Sequence, residues 1–188
     1  AYTAVVPNDL YCDNWLSTNG LNFLKSFPKD QPWFLQVNFT GPHNPMDVTQ
    51  SMRKRWDDVD FPQPHANEQP KYTEADHLRN RQNYAAMVEN IDMRIAEFIK
   101  LVEERGELDN TLIAYSSDHG EMLGDHGRWG KGTPYEPSLG VPLIVSGPGV
   151  RKSVVSDTLV SMHDLSATFL EYADCKQLPD ADTVSLRP

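Results

Sequence analysis

Cysteine is scarce in this chain. Its 188 residues contain two, Cys12 and Cys175. They are too few and too far apart for a disulfide framework or a zinc knuckle, and they read as unpaired structural thiols. Long apolar runs are lacking as well: no stretch approaches the roughly 20 residues that span a bilayer. The opening AYTAVVPNDL has neither the basic start nor the apolar run of a signal peptide. Positive charge is also in short supply, since 17 Lys and Arg against 27 Asp and Glu leave a net charge of −10. Nucleic acid and anionic membrane surfaces are repelled at long range by such a protein. Any anionic ligand must therefore be held by local cations. Several catalytic signatures are missing too: there is no HExxH, no phosphate-cradling glycine loop and no G-x-S-x-G. Ser116-Ser117-Asp118-His119 is not a triad, because consecutive residues cannot reach the relayed geometry a triad needs.

What is present suits one domain, since a chain of this size can bury roughly 70% of the surface its unfolded form exposes. Residues 13–27 space Trp15/Leu16, Phe23/Leu24 and Phe27 at near-helical intervals, with Asp13 as a cap and Pro28 as a stop. WFLQVNF reads as a buried strand ended by Gly41-Pro42, with His43 just beyond it. Residues 44–75 form a long polar loop with four prolines and the basic cluster Arg53, Lys54 and Arg55. Tyr84, Val88, Ile91, Ile95, Phe98 and Val102 recur at steps of three and four and predict a helix capped by Gly106. A strand over 111–115 runs into Asp118-His119-Gly120, a second covers 143–145, and a last helix spans 163–173. Strands alternating with helices predict an α/β fold with a parallel sheet between helices. Ligands bind beyond the carboxyl ends of such strands, which puts His43 and the Asp118-His119 pair at one edge.

The segment DHGEMLGDH gathers Asp118, His119, Glu121, Asp125 and His126. It is readable as a solvated acidic loop or as a metal site. A carboxylate beside an imidazole suits a divalent cation, but two donors hold one weakly, so the remaining ligands must come from elsewhere. Lys131 lies between two glycines, and His43 follows the first strand. Each alone is an ordinary surface residue. Together they give a metal and two donors around one point, the equipment for a tetrahedral oxyanion in an otherwise negative protein.

These residues carry a family resemblance. YAAMVENIDMRIAEFI, LDNTLIAYSSDHGEMLGDHGRWGKGTPYE and VPLIVSGPGV resemble the C-terminal part of the catalytic domain of sulfatases in the alkaline phosphatase superfamily, and FLQVNFTGPHNP resembles that family's earlier strand and histidine. The resemblance implies an alkaline-phosphatase-like, mainly parallel sheet flanked by helices, present over 1–188 as a single partial domain. It also implies Asp118 and His119 as metal ligands, with Lys131 and His43 as catalytic and sulfate-binding residues. The implied cofactor is a divalent metal, calcium first and magnesium, manganese or zinc as alternatives. The implied reaction is hydrolysis of a sulfate ester, on a small molecule or glycan, by a formylglycine hydrate.

The family's C/S-x-P-x-R nucleophile motif is absent, since neither Tyr-Cys12-Asp-Asn nor Asp-Cys175-Lys-Gln matches it, and so is its N-terminal aspartate pair. The expectation is a fragment that lacks the nucleophile-bearing part, is inactive alone and self-associates through exposed sheet edge. Gly140 stands where many relatives carry arginine. The rival readings are a phosphonate monoester or phosphodiester hydrolase of the same superfamily, which shares the Asp-His pair, and a non-catalytic binding or structural module.

Overall fold

The computed structural model describes residues 2–66 and 72–187. A short strand β1 (Tyr2–Ala4) leads through a 3-10 turn into helix α1 (Cys12–Ser26). Strand β2 (Asp47–Thr49) and the single-turn α2 (Gln50–Arg53) precede the long helix α3 (Glu74–Glu104). Then follow β3 (Ile113–Ser116), the single-turn α4 (Glu136–Leu139), β4 (Leu143–Ser146) and α5 (Asp164–Tyr172).

Helix α1 forms where the sequence places it but turns a different face inward. Its buried residues are Asp13, Asn14, Ser17, Gly20 and Leu24, whereas Trp15 and Phe23 are 55% and 62% exposed. Asp13 does not cap the helix; Tyr11 is the N-cap and supplies no side-chain bond. The small buried face permits close approach to α3, since a Cβ on Gly20 would come within 2.8 Å of Phe98 Cζ. Glycine is tolerated inside this helix because the packing needs the space, against a propensity cost of about 1 kcal/mol.

Helix α3 extends ten residues upstream of the apolar repeat that predicts it. The extension rests on a capping box: Asp76 N–H donates to Thr73 Oγ1 at 3.1 Å, and Thr73 N–H donates to Asp76 Oδ2 at 3.1 Å. Past its other end, Gly106 takes a left-handed φ of 75°. One flank of α3 carries the core of Tyr11, Met46, Val48, Met52, Ala86 and Met87. Burying each of the larger of these side chains stabilises the fold by about 1.5–3 kcal/mol. Within the same flank, Asn83 is fully buried and donates to Met46 O at 2.7 Å and Tyr2 O at 3.2 Å, while its Oδ1 accepts from Arg53 at 2.7 Å. One amide thus fastens the parallel pair β1–β2 and helix α2 to α3.

The expected loop over 44–75 therefore contains two short elements, and its residues 67–71 lie outside those described. Elements of three and four residues are too short to show a period. Two members of the basic cluster bind back onto the protein: Arg53 pairs with Asp57 at 2.6 Å, and Arg55 with Glu89 on α3 at 3.2 Å.

Strands β3 and β4 pair antiparallel, with Ile113 opposite Ser146 and Ser116 opposite Leu143. The α/β class holds, with parallel pairing found in β1–β2 and antiparallel pairing here. The chain between β3 and β4 has no full crossover helix of the kind that parallel neighbours need. The strand expected over 33–39 is not a buried strand. That segment is extended but joins no sheet among the described residues, and Phe34 is 65% exposed. Between it, α3 and β3 lies an open cleft of about 2740 Å³, lined by Val37, Phe39, Ile91, Phe98, Ile113 and Tyr115 among others. The apolar run that reads as a buried strand thus faces space rather than neighbouring strands.

Arg105 closes the end of this frame nearest the cleft. Its guanidinium donates to Glu107 at 2.7 and 2.9 Å, to Leu24 O at 2.9 Å and to Phe27 O at 3.2 Å. Glu107 also accepts from Trp33 Nε1 at 3.1 Å, so α1, α3 and the extended segment meet at one ion pair. The hydrogen bond from Arg105, reinforced by Trp33 and opposed by partial desolvation, holds the Glu107 carboxyl below the ordinary carboxylate range. A lowered carboxyl contributes stability that is fully present above the unfolded value, about 4.3 for glutamate, and is lost as pH falls through the folded value. Glu107→Gln is expected to melt below the wild type at neutral pH, with the difference closing below about pH 4. A pH series of thermal melts checks this.

Candidate active site

Three loops build the site. The first follows the extended segment: Thr40, Gly41 and Pro42 turn the chain, and His43 N–H donates back to Thr40 O at 3.2 Å. The turn is held from below by the fully buried Asp13 of α1. Its Oδ1 accepts from Thr40 N at 2.7 Å and Thr40 Oγ1 at 2.9 Å, and Gly41 N–H is shared between Oδ1 at 3.2 Å and Oδ2 at 3.1 Å. His43 Nδ1 lies 2.7 Å from Asn44 O. A carbonyl only accepts, so Nδ1 carries the proton and Nε2 presents a lone pair. Facing that lone pair at 2.6 Å is the ammonium of Lys131.

The second loop follows β3. His119 Nδ1 lies 2.8 Å from Gly120 O and carries the proton by the same reasoning, which leaves Nε2 as an acceptor. That nitrogen is 3.7 Å from Asp118 Oδ2, and the Asp118 side chain is 86% exposed. Two acceptors face each other at a spacing that neighbouring donors on one divalent cation can adopt, since each bond to such an ion is about 2.0–2.6 Å long. The donor set therefore fits a divalent metal. Among the described residues no group of three or more His, Cys, Asp or Glu converges to hold one, so this chain offers a pair of donors and not a full coordination shell. The rings of His43 and His119 meet edge to face with centroids 5.6 Å apart. All four sequence-predicted residues, His43, Asp118, His119 and Lys131, thus come together.

The remaining members of DHGEMLGDH do structural work. Glu121 Oε1 accepts from Gly130 N at 2.6 Å and Leu123 N at 3.2 Å, and Met122 N–H donates to Gly130 O at 3.0 Å. Asp125 accepts from Arg81 at 3.2 Å and from His65 N at 2.9 Å. His126 stacks on Tyr135 with centroids 4.1 Å apart. These contacts fold 121–130 back on itself and deliver the third loop, where Lys131 sits between Gly130 and Gly132 with φ of 80° and 85°. Gly120 serves close approach, its N–H donating to Ser138 O at 2.9 Å as α4 crosses over it. The sequence reading missed Asp13, which it used as a cap, and Arg81. The signal for Asp13 was its place in a buried face of small polar residues.

The family model for sulfatases matches residues 2–175. This chain belongs to the sulfatase family. Among curated sulfatases, it is 29% identical over 194 residues to an arylsulfatase of Clostridium perfringens, a match covering 92% of this chain and 40% of that protein. It is 32% identical over 187 residues to a choline-sulfatase of Rhizobium meliloti, covering 84% and 35%. Among solved structures, the phosphonate monoester hydrolase of Silicibacter pomeroyi superposes with a TM-score of 0.88 at 25% identity, over 97% of this sulfatase chain and 42% of that one. A structure of BT4656 with its substrate D-glucosamine-2-N,6-O-disulfate superposes with a TM-score of 0.78 at 20% identity, over 95% and 51%, a likeness of fold. The chain spans 35–40% of the length of the two curated relatives.

The left-handed backbone beside Lys131 gives a direct check on this loop. Gly130→Ala is expected to cost roughly 1–2 kcal/mol, since an L side chain is strained at that φ while open space surrounds the position. Urea denaturation of the variant measures it.

Proposed function

We propose that this chain is the later portion of the catalytic domain of a sulfate ester hydrolase, with the nucleophile and the other metal ligands contributed by polypeptide outside residues 1–188. The observation that carries the reading is the convergence of the Lys131–His43 pair with the Asp118–His119 pair. An ammonium oriented by an imidazole, beside an acceptor pair suited to a cation, can hold the singly charged tetrahedral group of a sulfate ester that the net charge of −10 would otherwise repel. The relatives named as arylsulfatase and choline-sulfatase support sulfate esters as the substrate class.

In this reading Lys131 Nζ donates to an oxygen of the bound sulfate. His43, its tautomer fixed by Asn44 O, accepts from that ammonium at Nε2; a proton passed from Lys131 Nζ to Nε2 makes it an imidazolium that donates the same proton to the leaving-group oxygen, leaving Lys131 a neutral amine. Asp118 and His119 would hold a divalent metal, calcium first, which supplies charge neutralisation to the sulfate when bound. The nucleophile is a formylglycine in the part of the protein outside this sequence. The cleft supports the partial-domain reading: at about 2740 Å³ it far exceeds the 300–1,000 Å³ of ligand pockets. Its lining includes the extended segment that joins no sheet among the described residues. Alone, the chain is inactive and self-associates through these edges.

A phosphonate monoester hydrolase is the second reading, favoured by the 0.88 TM-score of the Silicibacter pomeroyi enzyme. Steady-state kinetics on the full-length protein separate the two. Preference for an aryl sulfate over a phenyl phosphonate ester is expected, and the reverse preference would move the assignment to the second reading. His43→Ala and Lys131→Ala are each expected to lower kcat/KM by roughly 100-fold or more. Wild-type turnover in either variant would remove that residue from the site.

A further inference from the structure

We infer that Asp13 is a positioning residue for His43, acting through the backbone of the Thr40–Gly41 turn. The inference rests on the catalytic reading of His43 given above. Asp13 lies 30 residues upstream on the first turn of α1, with none of its surface exposed. A buried carboxylate is costly unless its oxygens are satisfied. Here they are satisfied by Thr40 N, Thr40 Oγ1 and Gly41 N, all within 3.2 Å. Two of the three are backbone groups of the residues that immediately precede Pro42 and His43, and the third is the Thr40 hydroxyl. The clasp leaves no slack, because a Cβ on Gly41 would fall 2.5 Å from Asp13 Oδ2. Gly41 is therefore glycine for proximity to this carboxylate.

The consequence for chemistry is geometric. His43 is exposed and held by few contacts of its own: its ring meets that of His119 edge to face and bonds to the adjacent carbonyl of Asn44 and to Lys131, itself on an exposed loop. Neither hydrogen-bond partner anchors it to the core. On the upstream side the anchor is Asp13, which ties the turn to α1 and so to α3 through the close packing at Gly20, while three residues downstream Met46 lies in the core with its carbonyl bonded by Asn83. If the carboxylate is removed, the imidazole loses its register against Lys131 and His119 while retaining its identity. Displacements of about 1 Å at a reacting centre can cost 100-fold in rate.

The test is a double-mutant cycle in the full-length protein. Asp13→Asn keeps size and the acceptor facing Thr40 but points an amide donor at Gly41 N–H. It is expected to lower kcat for an aryl sulfate by roughly 10- to 100-fold. In the His43→Ala background the same change is expected to add less than about 2-fold, because there is no imidazole left to misplace. Losses that multiply in the two backgrounds would show a general structural role and overturn the inference. If Asp13→Asn does not fold, Thr40→Val removes the hydroxyl donor alone, and its several-fold loss is read through the same cycle. A slow His43→Ala protein with a fast Asp13→Asn protein would overturn this inference and leave the proposed function standing. A His43→Ala protein as fast as the wild type would overturn both.

Discussion

A carboxylate with no access to water must be met by donors, and the way Asp13 is met organises this site. The group is committed to burial because it lies on the face of α1 that packs inward. Solvent cannot compensate it, so the chain bends Thr40 and Gly41 onto it, and the bend sends His43 outward to Lys131. The cost of an unsatisfied buried charge runs to several kcal/mol, enough to fix the path of a loop that no sheet supports. The geometry of the candidate site, on the inference drawn above, is in this sense a by-product of satisfying one polar group.

The frame around that point is asymmetric. On one flank α3 is sealed by a methionine-rich core and by Asn83, which ties β1, β2 and α2 together with a single amide. On the other, Ile91 and Phe98 face the cleft with the extended segment and β3. A native interior is packed at crystal-like density with few voids larger than a water molecule. An open apolar space of this size is the feature that the proposed partial domain accounts for, with part of its central sheet contributed by other polypeptide. The clasp of Arg105 and Glu107 holds the two flanks in register at the open end.

The sequence revealed the fold class, and it picked out four residues that the structure places in neighbouring loops. Asp118, His119, Lys131 and His43 could be named because their residue types are unusual together and carry a family resemblance; in the structure Lys131 meets His43, His43 meets His119, and Asp118 lies beside His119. The α3 repeat was readable because helical periodicity over many residues is a strong signal, while its first ten residues hang on a cap that periodicity does not register. Residues 33–39 misled because apolar composition reports an intended neighbour without saying whether this chain supplies it. In α1, Trp15 and Phe23 promised the wrong face; close helix packing selected Ser17 and Gly20 instead. Glu121, Asp125 and His126 stood open between a solvated loop and a metal site because function and loop structure use the same polar residues. Only hydrogen-bond partners separate them.

In the proposed site His43, Lys131, Asp118 and His119 surround one oxyanion beside one metal. The most direct test is a crystal structure of the full-length protein with manganese and sulfate, using anomalous scattering to locate the ion. The proposed site requires anomalous density bonded to an Asp118 oxygen and His119 Nε2, with a sulfate oxygen within hydrogen-bond reach of Lys131 Nζ. Manganese bound elsewhere, or sulfate held without these side chains, would contradict it.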